Sequence, residues 1–367
     1  MTENANGISY EKAGVDVAGA ASALGRLLQW IGKAAHEPRE PGIGTPVLES
    51  GYYASVLDLG GNLGLALCTD GVGTKLMVAQ MMEKYDTVGI DCVAMNVNDL
   101  ICVGAEPISM LDYIAVERTD PDIFEEIGKG LYEGARQANV SISGGEISQV
   151  KEMLRHEGNG LGFDLIGMGV GTVALDQLVV GQDINDDDVV IGLASNGLHS
   201  NGYTLARRTF FDAMGCTVGQ HLPELGRTIG EELLRPTRIY VREAMEMLRS
   251  SARVKALINI TGDGLLNLNR VRAATGFLID SLPEPDPVFP LLQKGAGVSD
   301  EEMFLTYNMG VGFCVVAPQD DVDTVSEIAR KHGSEPSVIG RPVASLDGKV
   351  MVEEKGLVGQ ASAFTKI

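Results

Sequence analysis

The chain has 367 residues, 44% of them apolar, enough for two domains of ordinary size with cores of their own. Its 29 basic residues against 50 acidic ones leave a net charge of −21, which argues against binding along a nucleic-acid backbone, where basic surface must replace counterions. No stretch approaches the apolar length of a membrane span and the polar N-terminus has no signal-peptide core, so neither a nucleic-acid nor a membrane partner is expected.

Five cysteines at 68, 92, 102, 216 and 314 show no CxxC spacing and mostly sit in apolar runs, as expected of buried thiols in a reducing cytoplasm. Glycine is abundant at 46 residues, about twice average usage, which implies many tight turns or backbone that approaches a ligand closely.

In chain order, Ala20–Ile31 has the pattern of an amphipathic helix, and His36–Pro46, with three prolines and two glycines, reads as a loop. A strand pair follows, Tyr52–Leu59 and Leu63–Thr69, turning at Gly60-Gly61-Asn62. Asp70–Lys75 then forms a glycine loop. Asp86–Gly104 is predicted helical, with Thr87 as its cap and Gly104 as its stop. Ile108–Val116 is a strand. Asp120-Pro121 opens a helix, a capping residue followed by proline at the first helical position. Val140–Ser143 is a short strand ending in Gly144-Gly145-Glu146, Gln149–Gly162 a loop or lid, and Phe163–Val173 another strand.

A domain junction is expected near 172–180, dividing the chain into 1–174 and 175–367. Beyond it come a strand at Asp188–Leu193, a glycine loop at Ser195–Gly202, and helices near 203–214 and 236–250. A strand at Lys255–Ile260 leads to a second glycine loop, Thr261–Gly264, and a helix over Leu265–Ala274. A helical turn at Glu301–Leu305, a strand at Gly312–Ala317, a helix at Asp320–His332 and a strand at Ser337–Ile339 complete the pattern. Alternating strands and helices that begin with a hairpin give an α/β (α+β) fold with a mixed first sheet.

Several segments carry candidate chemistry. In Asp70-Gly71-Val72-Gly73-Thr74-Lys75, two glycines let backbone amides converge on a phosphate, Lys75 adds a point charge and Asp70 can hold a cation. The spacing is not that of a Walker A loop. On the following helix Asp91 and Asn98 lie two turns apart on nearly one face, with Asp99 about 80° around. Their separation of roughly 10–12 Å suits bracketing a metal-bound triphosphate. Carboxylates in so apolar a run are costly unless they do something. Glu146 is a candidate metal ligand or base, and Asp112 is either functional or a buried structural acid. Ser195–Gly202 places His199, the best titrating group in the chain, among hydroxyls and amides before a helix, a setting suited to an anion. Thr261–Gly264 is either a second anion or ribose contact or a plain turn. No histidine pair has zinc spacing.

Together Tyr10–Asp16 (YEKAGVD), Thr69–Lys75 (TDGVGTK), Asp86–Pro107, Leu111-Asp112-Tyr113, Gly144-Gly145-Glu146, Ser195–Gly202 (SNGLHSNG), Thr261–Gly264 and Asn308–Gly312 (NMGVG) resemble the aminoimidazole ribonucleotide synthetase family, in the family's order and over most of the chain. The resemblance implies an N-terminal ATP-binding domain that pairs across a homodimer through its strands, and a C-terminal α/β domain closing over the cleft. It also implies a cytoplasmic ligase of purine biosynthesis, which uses ATP and Mg2+ to phosphorylate the amide oxygen of formylglycinamidine ribonucleotide. The substrate's own nitrogen then closes the imidazole ring. Carried onto this sequence, it expects Asp70, Asp99 and Glu146 at Mg2+, and Lys75 and His199 as catalytic groups. Around the nucleotide and substrate it expects Asp70, Gly71, Gly73, Thr74, Asp91, Asn98, Gly144, Gly145, Ser195, Asn201, Thr261 and Gly262. The sequence departs from the bacterial pattern at Asn259, often His, at Asp263, often Gly, and in the segment 147–157. Formylglycinamidine ribonucleotide synthetase, which shares the superfamily, and a non-catalytic nucleotide-binding regulator are the alternatives.

Overall fold

The computed structural model describes residues 17–36, 42–49, 51–154 and 161–367. The segment Tyr10–Asp16, and parts of the predicted loops 36–46 and 149–162, lie outside the described residues.

The first half contains α1 (Val17–His36), β1 (Ser55–Asp58), β2 (Leu63–Gly71), α2 (Lys75–Met82), α3 (Val88–Ile101), β3 (Glu106–Val116), α4 (Pro121–Ala138), β4 (Ser141–Gln149) and β5 (Phe163–Ala174). Its five-stranded sheet runs β1-β2-β5-β3-β4. Only β3 and β4 pair in parallel, with α4 as their crossover, so the sheet is mixed as the alternation expects.

Two helices cover one face of this sheet. Asp120 caps α4 by accepting from the Asp122 and Ile123 amides, and Asn139 ends it in the left-handed region. α3 meets α4 through glycines: a Cβ on Gly89 or Gly130 would strike the other element's backbone, and one on Gly134 would strike Val93. The α3 side chains Cys92 and Asn96 likewise fill the space above Gly167 of β5. These missing side chains let α3 sit low between α4 and the sheet.

The second half adds β6 (Asp188–Ala194), α5 (Tyr203–Arg207) running into a π-helical turn (Arg208–Ala213), a small hairpin of β7 (His221–Leu222) and β8 (Arg227–Thr228), α6 (Ile229–Leu233), α7 (Val241–Arg249) and β9 (Ala256–Asn259). It continues with β10 (Gly276–Ile279), α8 (Val288–Ala296), α9 (Asp300–Thr306), β11 (Val311–Pro318), α10 (Val322–Lys331), β12 (Pro336–Val343), β13 (Lys349–Val352), β14 (Leu357–Gln360) and β15 (Ala363–Lys366). The eight-stranded sheet runs β15-β14-β13-β10-β12-β6-β11-β9. Strand β11, VGFCVVAP, lies between β6 and the edge strand β9 and is buried along almost its whole length, which explains a continuous apolar run instead of an alternating one.

Several boundaries differ from the expectation. β2 runs through Asp70 and Gly71 because β5 continues beside it to Ile166, so the glycine loop shrinks to Val72–Thr74 and Lys75 starts a helix. β4 extends to Gln149 because β3 offers parallel partners as far as Val116. The helix expected over Leu265–Ala274 is only a 3-10 turn, Gly264–Asn269. The short strands β10, β13, β14 and β15 carry four residues each, too few for a periodicity to stand out.

Candidate active site

Strand register lines up the first constellation. Asp70 on β2 sits opposite Gly167 on β5, Gly167 opposite Asp112 on β3, and Asp112 opposite Gly145 on β4. This cross-strand row faces α3. Asn96 of that helix grips the backbone at Asp70, accepting from its N–H (3.1 Å) and donating to its C=O (3.2 Å). Gly145 leaves the space that the Asp112 carboxylate occupies, and burial pushes Asp112 above the usual carboxylate range.

One turn beyond Asn96, Asp99 reaches the second half of the chain. Its Oδ1 accepts from Asn259 Nδ2 at 2.8 Å, on the last residue of β9. Burial pushes Asp99 up to about 7; the Asn259 hydrogen bond opposes this, the negative charge of Asp70 adds to it, and Arg270 offsets part. Asp70 is itself raised by burial. Two acids that disfavour each other's ionisation in a part-buried setting form a natural seat for a cation. Arg270 also pairs with Asp263 (2.7 Å) and stacks over Tyr53, whose hydroxyl donates to Asn259 O (2.8 Å).

Lys75 is fully buried. Its Nζ donates to Asp91 Oδ1 (2.8 Å), His199 O (3.0 Å) and Arg235 O (2.6 Å), which uses all three of its protons. Burial draws its pKa down while Asp91 resists the change. Asp91 Oδ1 also accepts from the amide and hydroxyl of Thr237 (2.7 Å each). Asn98 does share the Asp91 face, as its spacing predicts, but it holds Arg238 O (2.8 Å) and the Tyr240 amide (3.0 Å). The helix face expected to bracket a triphosphate is therefore closed by the segment 235–240. Lys75, Asp91 and Asn98 tie the two halves together, and Asp91 Oδ2 is left buried without a partner among the described residues.

His199 lies in the same buried network. It is only 2% exposed, adopts φ +60°, and its Nε2 accepts from the Asn196 amide at 3.0 Å. Burial, aided by Lys75, Arg235 and Arg238, lowers its pKa to about 3. At that value the ring is neutral near pH 7. Ser195 Oγ is buried with no partner among the described residues. Asn201 packs beside Gly262, so the two glycine loops of the second half do converge, while Thr261 is tied to Asn267. Gly73 and Thr74 are exposed, and Thr74 Oγ1 lies 3.3 Å from Thr204 Oγ1, which brings the first glycine loop to the start of α5.

Gly144 and Gly145 belong to the exposed edge strand β4. Glu146 is exposed, accepts from the Ile147 amide (3.0 Å) and pairs with Tyr113 in register, so it projects from the opposite face to Asp112. Among the described residues no three His, Cys, Asp or Glu side chains form a metal-holding group. Asp70 and Asp99 influence each other; Glu146 is not assembled with them. Sequence reasoning missed Asn96, Thr237, Arg235 and Arg270. Asn96 lay unremarked in an apolar helix, and Arg235-Pro236-Thr237-Arg238 carried a signal only as two cations flanking a proline.

Comparison with known proteins agrees with this architecture. The family described as AIR synthase related protein matches with its N-terminal domain over residues 51–173 and its C-terminal domain over 185–353. A phosphoribosylformylglycinamidine cyclo-ligase from Methanocaldococcus jannaschii is 43% identical over 357 residues, 96% of each chain. One from Methanothermobacter thermautotrophicus is 47% identical over 279 residues, 76% of this chain and 80% of that one. Among solved structures, hydrogenase maturation protein HypE in complex with ATP superposes with TM-score 0.59 at 19% identity, covering 94% of this chain and 95% of that one. Thiamine-monophosphate kinase from Stenotrophomonas maltophilia gives 0.58 at 21% identity, covering 89% and 95%. At such identities these two structures establish the shared fold alone. The chain belongs to the AIR synthase related proteins and, within them, to the phosphoribosylformylglycinamidine cyclo-ligase family.

Proposed function

We propose that this protein is the ATP-dependent cyclo-ligase that converts formylglycinamidine ribonucleotide to aminoimidazole ribonucleotide, releasing ADP and phosphate. Similarity of 43% across 96% of the chain to a cyclo-ligase supports the reaction. The observation that carries the site is the Asp70–Asp99 pair at the meeting of β2, α3 and β9.

Asp70 and Asp99 fit Mg2+, because their mutual repulsion in a part-buried place is what a divalent cation relieves. Mg2+ bound there supplies charge neutralisation for a triphosphate. The residues around it do the positioning. Asn96 fixes the backbone that carries Asp70, and Asn259 holds Asp99 in one orientation. Gly71, Gly73 and Thr74 present the adjoining backbone turn. Asn201, Thr261 and Gly262, with the buried Ser195, place the second-half loops beside it for substrate. Glu146 is left outside this set.

The domain division at 174/175 is supported by the five-stranded sheet, which ends at Ala174, and the eight-stranded one, which starts at Asp188. Homodimerisation through the first sheet is supported by apolar side chains on its uncovered face: Ile108, Leu111, Tyr113 and Met168 are each at least 37% exposed. A cytoplasmic place is supported by the five cysteines, all of them free.

The test is turnover. Purified protein with ATP and Mg2+ should release ADP only when formylglycinamidine ribonucleotide is present, with an aminoimidazole product. ADP release without imidazole would transfer the chain to another activity of the superfamily, and ATP binding with no ADP release would make it a non-catalytic nucleotide-binding regulator.

A further inference from the structure

The segment 235–240 that seals Asp91 and Asn98 has another side. There Pro236, Thr237 and Arg238, with Arg136 of α4 and Arg242 of α7, line a cavity of about 470 Å³. Its charge is unusual for a chain carrying −21: three guanidiniums and His332 against the single carboxylate of Glu243.

Glu133 on α4 meets part of it, taking Arg136 through Nε (2.8 Å) and Nη2 (2.7 Å), which leaves Arg238 and Arg242 as the under-neutralised pair. Arg242 donates from Nε to Gln137 O (2.8 Å) and from Nη2 to Arg136 O (2.7 Å), and among the described residues it forms no ion pair. Arg238 donates from Nη2 to His332 O (3.1 Å) and reaches Glu243 Oε1 only at 3.5 Å, while its buried Nε has no partner among the described residues. Glu243 is already engaged by the Ser334 hydroxyl at 2.7 Å, and Glu246 takes His332 at 2.7 Å. α7 begins here with no side-chain cap on its first-turn amides, at the end of the helix dipole that favours negative charge. Under-neutralised forked donors, a helix start and a cavity of nucleotide size together describe an anion site.

We propose that this cavity binds a phosphate-bearing anion, either free inorganic phosphate or the phosphomonoester of a small ribose phosphate, at a place separate from the Asp70–Asp99 pair. The cavity wall is wired to the closed network. Thr237 holds Asp91, Asn196 donates from its side chain to Pro236 O (2.7 Å), and the Asn196 amide fixes the His199 ring. An anion gripping Arg238 and Arg242 stiffens the strap through which the two halves meet.

The test is calorimetric titration of the full chain, at fixed ionic strength and without ATP, with inorganic phosphate in one series and ribose 5-phosphate in another. Arg242→Ala is compared with the parent, and Arg242→Gln serves if Arg242→Ala does not fold. The expected result is an anion-binding event that weakens by about tenfold or more in the variant while catalytic turnover persists. The tighter of the two anions names the source, and either order sustains the site. A tungstate soak should place the heavy atom between Arg238 and Arg242. No binding of either anion, or binding of unchanged strength in the variant, overturns the proposal.

Discussion

Asn259, on the last residue of β9, donates its side-chain amide to Asp99 on α3 across 2.8 Å, while its carbonyl accepts from Tyr53. One residue of the second half thus holds in place an acid of the first, and this single contact crosses 160 positions of sequence. Replacing it isolates that link. Asn259→Ala removes a hydrogen bond to a charged group, a loss of about 1.5–3 kcal/mol, or about tenfold and upward in an equilibrium constant. The Mg2+ requirement for turnover should rise by that factor, measured as the half-saturating Mg2+ concentration at constant ATP. An unaltered requirement would separate Asn259 from the ion.

Asp99 makes folding stability depend on pH in a defined sense. Its folded value near 7 lies above the ordinary carboxylate value of about 3.9, so the folded chain retains a proton that the unfolded chain has lost. The stability this contributes is complete below about pH 4 and is lost as pH rises through about 7. Asp99→Asn should therefore gain stability over the parent at pH 8, and much less at pH 4.5. Urea midpoints in metal-free buffer at the two pH values give the comparison.

Lys75 and Asp91 are both wholly buried, so cutting one of them strands a charge. Lys75→Met should cost about 3–5 kcal/mol. The double variant Lys75→Met with Asp91→Asn should recover a good part of this, since it leaves no unpaired ion. Denaturant unfolding of the parent, both single variants and the double variant closes the cycle. A Lys75 variant that folds as well as the parent and merely binds ATP poorly would restore Lys75 to a phosphate.

His199 should show no titration between pH 5 and 9, because its pKa lies near 3. The 13Cε1 chemical shift of labelled protein tests this directly. The pH profile of turnover should likewise keep its acid limb when His199 is replaced by Asn.

The helix pair α3–α4 provides a contrast between two glycines of the same helix. A Cβ at Gly130 would overlap Asp86 O, whereas one at Gly128 meets nothing within 4 Å. Alanine gains about 0.5–1 kcal/mol in helix propensity at either position. At Gly130 overpacking of about 1–3 kcal/mol outweighs that gain. Thermal melting should show Gly128→Ala above the parent and Gly130→Ala below it.

Much of the first half was legible because its signals are local. Asp120-Pro121 starts a helix in any context, and the strand pair around Gly60-Gly61-Asn62 needs no distant partner. The site was legible as a set of residues and less so as an arrangement. Helical spacing correctly put Asp91 and Asn98 on one face, but nothing local says that this face meets Thr237 and Tyr240, about 140 residues later. Lys75 shows the same limit: a lysine after a glycine turn reads alike whether its amine faces solvent or three buried acceptors. Asp70 and Asp112 fall into one row only through strand register, which depends on how β5 inserts between β2 and β3.

The most direct test of the account is manganese binding to the full chain in the presence of a non-hydrolysable ATP analogue, followed by electron paramagnetic resonance. Asp70→Asn and Asp99→Asn should each abolish the tightly bound signal while Glu146→Gln retains it. A manganese signal that survives both aspartate substitutions, or disappears only with Glu146, would contradict it.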